Sequence, residues 1–210
     1  MMAEVCDDAA YSKHKIGTND FRLSRANLHK TESFKPLTKF CLESFENTMY
    51  DLGFAKKCCI NSMWASEQQK GARHRPHQHF NCFLIGVYYL HGDGGNTPGT
   101  SFFNPNLGNI MPARNYFKAP KLEYAHGTHF VEGTLCIFPA WMIHYTEQYN
   151  GEDKRYTIGV NSMPVGKVKD PPSDRYDYMD VSDSDLEMDE RETMIYNNRK
   201  EIQRKLKGNV

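Results

Sequence analysis

The chain has 210 residues, a length typical of one domain with a short appendage, and its 26 Lys and Arg balance its 26 Asp and Glu. This neutral composition argues against a dominant basic surface for nucleic acid, and the aromatic content of 12% excludes a mainly disordered chain. No apolar run reaches the roughly 18 residues of a membrane span, and residues 1–20 lack the apolar stretch of a signal peptide. The six cysteines form no CxxC motif, so we expect reduced thiols and a cytoplasmic protein.

The first regular element that the sequence predicts is a helix over residues 33–53. Apolar residues recur there at three- and four-residue spacing, which places them on one face, and Gly53 is a suitable stop. The residues of this face are Leu37, Phe40, Cys41, Phe45, Met49 and Leu52. We expect residues 1–57 to form a helical and linker region that packs on the domain that follows.

After residue 57 the apolar pattern changes to that of strands rich in β-branched and aromatic residues. Strands are predicted at 58–64, 83–90, 133–138 and 155–161, with a short one at 101–103 inside the Gly-, Pro- and Asn-rich stretch 92–116. Many short strands after a helix indicate a mainly β fold with flanking helices, of the sandwich or jelly-roll type. The core of this fold is expected over residues 58–169.

The last segment, 170–210, is expected to be a tail of divided charge. Residues 170–192 contain ten acidic and two basic side chains, whereas residues 193–210 contain five basic and one acidic. Within the tail, residues 186–207 are predicted as a helix with acids at its start and bases at its end, as the helix dipole prefers. Its apolar positions are sparse, so it is either a helix that pairs with a copy of itself in a homo-oligomer or a solvated chain.

Histidines are concentrated in the predicted strand region, where His74, His77 and His79 lie within six residues. Residues two apart in a strand point to one face, so His77 and His79 are placed to bind one metal ion together. His144, at the end of another apolar strand, is the candidate for a third ligand. Three ligands on one side of an ion leave the other side open for substrate, as in catalytic sites. Solvated histidines on a strand edge are the alternative, and Pro76 is typical of such an edge.

Arg155 opens the next predicted strand, after a loop short enough for a hairpin that would bring it close to His144. Its planar guanidinium can bind a carboxylate through two parallel hydrogen bonds, and the hydroxyl of Thr157 lies on the same face of the strand. A surface charge paired with Glu152 or Asp153 is the alternative. The remaining histidines are interpreted as surface residues or as a loop pair: His14, His29 and His91 for the first, His126 and His129 for the second.

The order of these motifs resembles that of the Fe(II)/2-oxoglutarate-dependent dioxygenases. The motifs are His77-x-His79, Gly86-Val-Tyr-Tyr-Leu90, Gly133-x-Leu-x-Ile-Phe-Pro-x-Trp-x-x-His144, Arg155-x-Thr157 and Asn161. The likeness is greatest to the oxygenase group found in bacteria and tailed phages, in which a Trp-containing strand precedes His-x-His, as Met63-Trp64-Ala65 does here. The resemblance covers about residues 58–161.

The resemblance implies a double-stranded β-helix, a cupin-like jelly roll whose mouth holds Fe(II). It implies an enzyme that uses dioxygen to couple the oxidative decarboxylation of 2-oxoglutarate to the hydroxylation, or a related oxidation, of an unidentified prime substrate. By the same likeness His77 and His144 ligate the iron, and Arg155 and Thr157 bind the far carboxylate of 2-oxoglutarate. Tyr88, Tyr89 or the following loop line the pocket, and the loop 91–130 is a candidate lid.

One position departs from the wider superfamily, in which the residue two after the first His is usually Asp or Glu. Here this residue is His79. Either His79 ligates the metal in a three-His site, or a carboxylate such as Asp93 completes the site, or the position stays open. Two other functions stay open as well: a cupin-like three-His metalloprotein that does not use 2-oxoglutarate, and a non-enzymatic jelly-roll interaction module that docks through its tail.

Overall fold

The computed structural model describes residues 21–53, 57–94, 97–104, 125–165, 167–169 and 177–180. The chain divides into two compact units, Met1–Met163 and Pro164–Val210. Among the described residues, no helix has the length and apolar character that a membrane crossing requires. The predicted tail helix at 186–207, with its self-pairing, lies outside the described residues, as does His14.

A single long α-helix, α1 (Lys35–Asp51), follows two short 3-10 turns at Leu28–Lys30 and Glu32–Phe34. Every fourth residue of α1 is buried, which keeps one apolar stripe against the sheet: Leu37, Cys41, Phe45 and Met49. Phe40, which the sequence pattern placed on the same face, is 44% exposed. Gly86 allows the close approach of the helix, because a Cβ there would stand 2.9 Å from the ring of Phe45.

The described residues of the first unit form nine strands, and those of the second form two. The first nine are β1 (Phe21–Leu23), β2 (Cys58–Gln68), β3 (His74–His77), β4 (Leu84–His91), β5 (Pro98–Phe103), β6 (Ala125–His129), β7 (Leu135–Pro139), β8 (His144–Thr146) and β9 (Arg155–Pro164). The other two, β10 (Lys167–Lys169) and β11 (Asp177–Asp180), pair antiparallel with each other.

The nine strands build two sheets, with the orders β1-β2-β9-β4-β7 and β3-β8-β5-β6. Antiparallel ladders join β4 to β7 and β9 in the first sheet, and β8 to β3 and β5 in the second. The main apolar core lies between α1 and the first sheet and includes Phe45, Met63 and Ile158. The predicted fold class is confirmed: a mainly β protein with the two-sheet architecture of a double-stranded β-helix.

Two details of the predicted topology are wrong. The strands β8 and β9 do not form a hairpin, because β8 pairs with β3 and β5 whereas β9 belongs to the other sheet. The connection between them crosses from one sheet to the other. The stretch 91–130 is not a single loop either: the strand predicted at 101–103 lies within β5, and β6 was not predicted. His126 and His129 therefore lie in a strand. The rest of the candidate lid, residues 105–124, lies outside the described residues.

Candidate metal centre

Three histidines from two neighbouring strands meet at one point. His77, the last residue of β3, is the register partner of His144 at the start of β8, and their ring centroids lie 4.2 Å apart. His79 lies just beyond the end of β3, with centroids 5.2 Å from His77 and 5.1 Å from His144. One ring nitrogen of each histidine lies within 4.8 Å of those of the other two. A single metal ion is therefore able to reach all three.

Each of these rings is held by a hydrogen bond at its Nδ1 atom. Nδ1 of His77 lies 2.8 Å from the carbonyl oxygen of Arg75, and Nδ1 of His144 lies 3.0 Å from that of Met142. For His79 the partner is a side chain, since its Nδ1 lies 2.9 Å from Oδ1 of Asn161 on β9. Because these oxygens accept, Nδ1 carries the proton and the Nε2 lone pair stays free for a metal.

Burial lowers the pKa of His77, His79 and His144, and it brings the pKa of His144 to about 3. A buried imidazolium loses hydration that the protein does not replace, and the three rings would also repel one another if charged. The imidazoles are therefore neutral near pH 7. Neutral imidazole is the form that binds a metal ion.

A fourth histidine, His74, lies beside the three without joining them. Its ring stacks between Phe21, at a centroid distance of 4.6 Å, and His77, at 4.0 Å. Among the described residues the group able to hold a metal consists of His77, His79 and His144 only. Asp93, the carboxylate considered as an alternative ligand, accepts a hydrogen bond of 2.9 Å from the backbone N–H of Glu152 instead.

The side chain of Arg155 enters the same pocket from β9 of the first sheet. The residue is only 1% exposed, and its Nη1 donates to Oε1 of Gln68. Its Nε and Nη2 atoms are also buried, and neither has a hydrogen-bond partner among the residues that the structure describes. Glu152, one of the two acids considered as its partner, pairs with Lys70 at the surface.

The buried guanidinium of Arg155 places a positive charge in this pocket. Burial lowers the pKa of Arg155 to about 10, so the guanidinium still carries its proton near pH 7. The Phe130 ring lies 5.2 Å from the guanidinium carbon and offers it a cation–π contact. A buried cation with two nitrogen atoms that lack partners among the described residues is costly, and an anion that enters the pocket would remove that cost.

Thr157 follows Arg155 on the same face of β9. Its Oγ1 lies 2.5 Å from Oγ of Ser66 on β2, so the hydroxyls of the two residues share one hydrogen bond. The wall of the pocket between these residues and the histidines is formed largely by Trp64, Ile85, Val87 and Gly159.

Of the two tyrosines that the resemblance suggested as lining residues, Tyr88 faces away from this pocket, whereas Tyr89 lies on the pocket side of β4 near Arg155. Tyr88 packs edge-on against Phe40 of α1, on the opposite face of β4. The hydroxyl of Tyr89 lies 3.0 Å from Oγ1 of Thr100 and 2.7 Å from Oγ1 of Thr128, in the interior of the barrel. The side chains of β4 that reach the pocket are Ile85 and Val87.

Three residues that hold the site together were not identified as site residues from the sequence: Ser66, Gln68 and Asn161. Asn161 was part of the family motif, but the motif gives it no role. Ser66 and Gln68 alternate along β2, which is a signal that they share a face. The sequence does not reveal that β2 lies beside β9, and only that pairing brings Gln68 to Arg155.

Several solved structures share this fold. The epimerase SnoN from nogalamycin biosynthesis, described as non-heme and alpha ketoglutarate dependent, has a TM-score of 0.59 at 10% identity, over 85% of this chain and 80% of that one. HygX from Streptomyces hygroscopicus, crystallised with nickel and 2-oxoglutarate bound, has a TM-score of 0.54 at 9% identity, over 86% of this chain and 88% of that one. A 2OG-Fe(II) oxygenase family oxidoreductase from Burkholderia pseudomallei has a TM-score of 0.54 at 12% identity, with coverage of 77% and 76%.

At these identities the structural likeness shows the fold, and no curated protein matches the chain in sequence. The family is shown by the sequence of the site region itself. Residues 62–161 match the family described as "Putative 2OG-Fe(II) oxygenase". This segment contains the three histidines, Arg155, Thr157 and Asn161, whereas membership of the group found in bacteria and tailed phages stays a prediction. Residues 62–161 of the chain therefore belong to the 2OG-Fe(II) oxygenase family.

Proposed function

We propose that the protein is an Fe(II)/2-oxoglutarate-dependent dioxygenase that hydroxylates a prime substrate. In this reaction 2-oxoglutarate, dioxygen and a substrate C–H bond give succinate, carbon dioxide and a C–OH group. His77, His79 and His144 would hold the iron, and Arg155 with Thr157 would bind the far carboxylate of 2-oxoglutarate. The observation that carries the proposal is that the buried Nε and Nη2 of Arg155, in the pocket that the three imidazoles share, have no partner within the described part of the chain.

The three imidazoles fit a divalent transition metal. Nitrogen ligands of this kind suit iron, and also zinc, copper and nickel, so the donor set supports a metal without selecting one. Bound iron supplies chelation of the keto acid and activation of dioxygen. Since all three rings are neutral, the protein adds no negative charge beside the metal. The dianionic co-substrate is then the group that neutralises it.

Arg155 has the chemistry required to hold that co-substrate. Its Nε and Nη2 atoms can each donate one N–H to one oxygen of a carboxylate, and a charge-assisted pair of this type is stronger in a buried site than in water. Thr157 adds a hydroxyl beside it, because Ser66 is able to donate to Thr157 and leave the Thr157 proton for the carboxylate. The apolar side chains of Ile85, Val87 and Trp64 exclude water from the space between the two binding points.

The Nε and Nη2 atoms of Arg155, which have no partner among the described residues, also weigh against the two alternatives. A cupin-like three-His protein that does not use 2-oxoglutarate would gain nothing from an unsatisfied buried cation beside its metal. An interaction module without a metal would have no use for three convergent imidazoles with their Nε2 atoms free. A cytoplasmic location, and a homo-oligomer formed through residues 170–210, stay part of the proposal.

The test measures metal binding and succinate release by the full chain. With Fe(II), ascorbate and 2-oxoglutarate, we expect slow succinate release even without prime substrate. Arg155→Ala should raise the 2-oxoglutarate concentration required at least tenfold, the cost of losing one strong ion pair, and leave iron binding unchanged. Arg25→Ala, a change of the same type at an exposed position, is the matched control.

Each other outcome points to a different function. Unchanged 2-oxoglutarate binding by Arg155→Ala, with iron bound, would support the cupin-like protein. The absence of metal above trace level in the wild-type protein would support the interaction module.

A further inference from the structure

We propose that Gln68 is a positioning residue that orients the guanidinium of Arg155 toward the co-substrate. The inference rests on the function proposed above and adds to it a residue from β2, outside the metal ligands and the Arg-x-Thr motif. Gln68 is 2% exposed, and both ends of its side-chain amide are engaged.

The first step concerns which edge of Arg155 is occupied. A guanidinium has five N–H donors in one plane. Gln68 occupies one of its nitrogen atoms, because Oε1 of Gln68 accepts a hydrogen bond from Nη1. The atoms left without a partner among the described residues are Nε and Nη2. These two atoms carry the parallel N–H bonds of one edge, which is the edge that forms two hydrogen bonds with a single carboxylate. Gln68 therefore leaves free the side of the guanidinium that the co-substrate needs.

The second step concerns what holds Gln68 itself. Its Nε2 donates to Oγ1 of Thr146 over 3.0 Å, and the same oxygen accepts from the backbone N–H of His74 over 2.9 Å. If the amide turned over, its NH₂ group would face the Nη1 donor of Arg155. Two donors would then oppose each other in a buried place, so only one orientation of the amide satisfies both ends.

The third step concerns where these contacts lie in the fold. Gln68 and Arg155 belong to the first sheet, whereas Thr146 on β8 and His74 on β3 belong to the second. Thr146 is two residues from His144, and His74 is three residues from His77. The amide therefore links the cation to both strands that carry the proposed metal ligands. This link fixes the distance between the metal site and the guanidinium of Arg155. That distance selects the length of the dicarboxylic acid that spans the two.

The experiment uses the 210-residue chain loaded with Ni(II), so that binding is measured without turnover. Titration calorimetry gives the affinities for Ni(II), for 2-oxoglutarate and for 2-oxoadipate, which is one methylene longer. We expect Gln68→Leu to bind 2-oxoglutarate roughly tenfold or more weakly, the effect of losing one hydrogen bond to a charged group. Its preference for 2-oxoglutarate over 2-oxoadipate should also fall, while Ni(II) affinity stays unchanged.

Gln68→Glu is the second variant. It adds a negative charge beside Arg155, whereas Gln68→Leu removes the polar group. Its carboxylate pairs with Arg155 and competes with the co-substrate for the same cation. We expect it to bind 2-oxoglutarate more weakly than Gln68→Leu does, by about another tenfold. Gln69→Leu is the matched control, because the neighbouring side chain is exposed, and it should behave as the wild type.

The results separate this inference from the proposed function. If both Gln68 variants bind 2-oxoglutarate within about twofold of the wild type while Arg155→Ala has lost binding, Gln68 has no positioning role and the proposed function stands. If the Ni(II)-loaded wild type itself does not bind 2-oxoglutarate, the proposed function fails and the role of Gln68 fails with it. If Gln68→Leu does not fold, Gln68→Met decides, since it nearly matches the length of glutamine and lacks the acceptor opposite Nη1 of Arg155.

Discussion

His77 and His144 face each other across the β3–β8 ladder, with 4.2 Å between their ring centroids. Residues in register on antiparallel strands hold their side chains at a fixed separation, so this pair forms a rigid two-nitrogen base for a metal. We predict that His77→Ala and His144→Ala each weaken Fe(II) or Ni(II) binding by more than about a hundredfold, beyond the loss expected for a residue that only supports a ligand. Titration calorimetry on the purified variants measures this effect.

The same measurement decides between His79 and Asp93 as the third ligand. We predict that His79→Ala loses metal binding as the other two variants do, whereas Asp93→Asn binds metal as the wild type does. His129→Ala, a change at an exposed histidine of β6, is the control and should have no effect. Tight binding by His79→Ala together with loss of binding by Asp93→Asn would contradict the three-His site.

Asn161 gives a second prediction, because it orients His79 through a side chain rather than through the backbone. Its Oδ1 accepts the proton of His79 Nδ1 over 2.9 Å, and Asn161→Leu would leave that ring free to rotate. We expect Asn161→Leu to weaken metal binding by about 10- to 100-fold, the usual effect of removing a group that holds a ligand. Asn161→Asp keeps an acceptor in place and should retain metal binding. Equal affinities for the Leu and Asp variants would show that Asn161 does not orient His79.

The sequence predicts the parts of this site that depend on local spacing. The His77-x-His79 pair, the strand that ends at His144 and the Arg155-x-Thr157 alternation are properties of short segments, and the structure brings all five residues to one pocket. The sequence does not predict contacts that depend on which strands become neighbours. Arg155 reaches the pocket because β9 lies beside β2, and the hairpin with β8 from which its position was inferred does not exist.

His79 illustrates the same limit at a single residue. The prediction placed it beside His77 on a strand, but β3 ends at His77. What brings the ring of His79 into the site is a backbone hydrogen bond of 3.1 Å from its N–H to the carbonyl of Ala140 and its contact with Asn161. Both partners are far away in the chain, so no local pattern reports them.

Glu67 provides a prediction about pH and stability. It lies between Ser66 and Gln68 on β2 and faces the opposite side of the sheet, where its carboxylate is fully buried and accepts from Arg22, Lys154 and Tyr156. Burial alone would raise the pKa of Glu67, but the hydrogen bonds from these three residues outweigh it and leave the pKa below its ordinary value of 4.5. The ionised carboxylate therefore stabilises the fold above pH 4.5, and this contribution is lost as the pH falls through the lower pKa of the folded state.

We predict that Glu67→Gln lowers the free energy of unfolding by about 2 kcal/mol at pH 7, because it weakens the charge-assisted hydrogen bonds that the buried carboxylate accepts from Arg22 and Lys154. The difference from the wild type should shrink as the pH is lowered below 4.5, where the wild-type carboxylate also loses its charge. Urea denaturation at several pH values measures both effects. Glu43→Gln on the exposed face of α1 is the control, expected within about 0.5 kcal/mol at every pH. A difference that does not change with pH would contradict the role given to the charge of Glu67.

The last prediction concerns Gly159, which lies directly beneath the indole ring of Trp64. A Cβ at position 159 would overlap the six-membered ring of Trp64, and the Trp64 ring in turn lies 5.6 Å from that of His79. Gly159→Ala must therefore push the indole toward the metal site. We expect a loss of about 1–3 kcal/mol in unfolding free energy, typical of overpacking, together with weaker metal binding.

The double variant Gly159→Ala, Trp64→Phe tests that cause. A smaller ring leaves room for the new methyl group, so the double variant should be more stable than the sum of the two single changes predicts, by about 1 kcal/mol. Chemical denaturation and metal titration of the four proteins complete the cycle. Gly127→Ala, where the nearest atom to the new Cβ is the Ser101 hydroxyl at 3.3 Å, is the control for adding a methyl group to a strand. Additive effects of the two changes would mean that Trp64 moves aside without strain and does not transmit the substitution to His79.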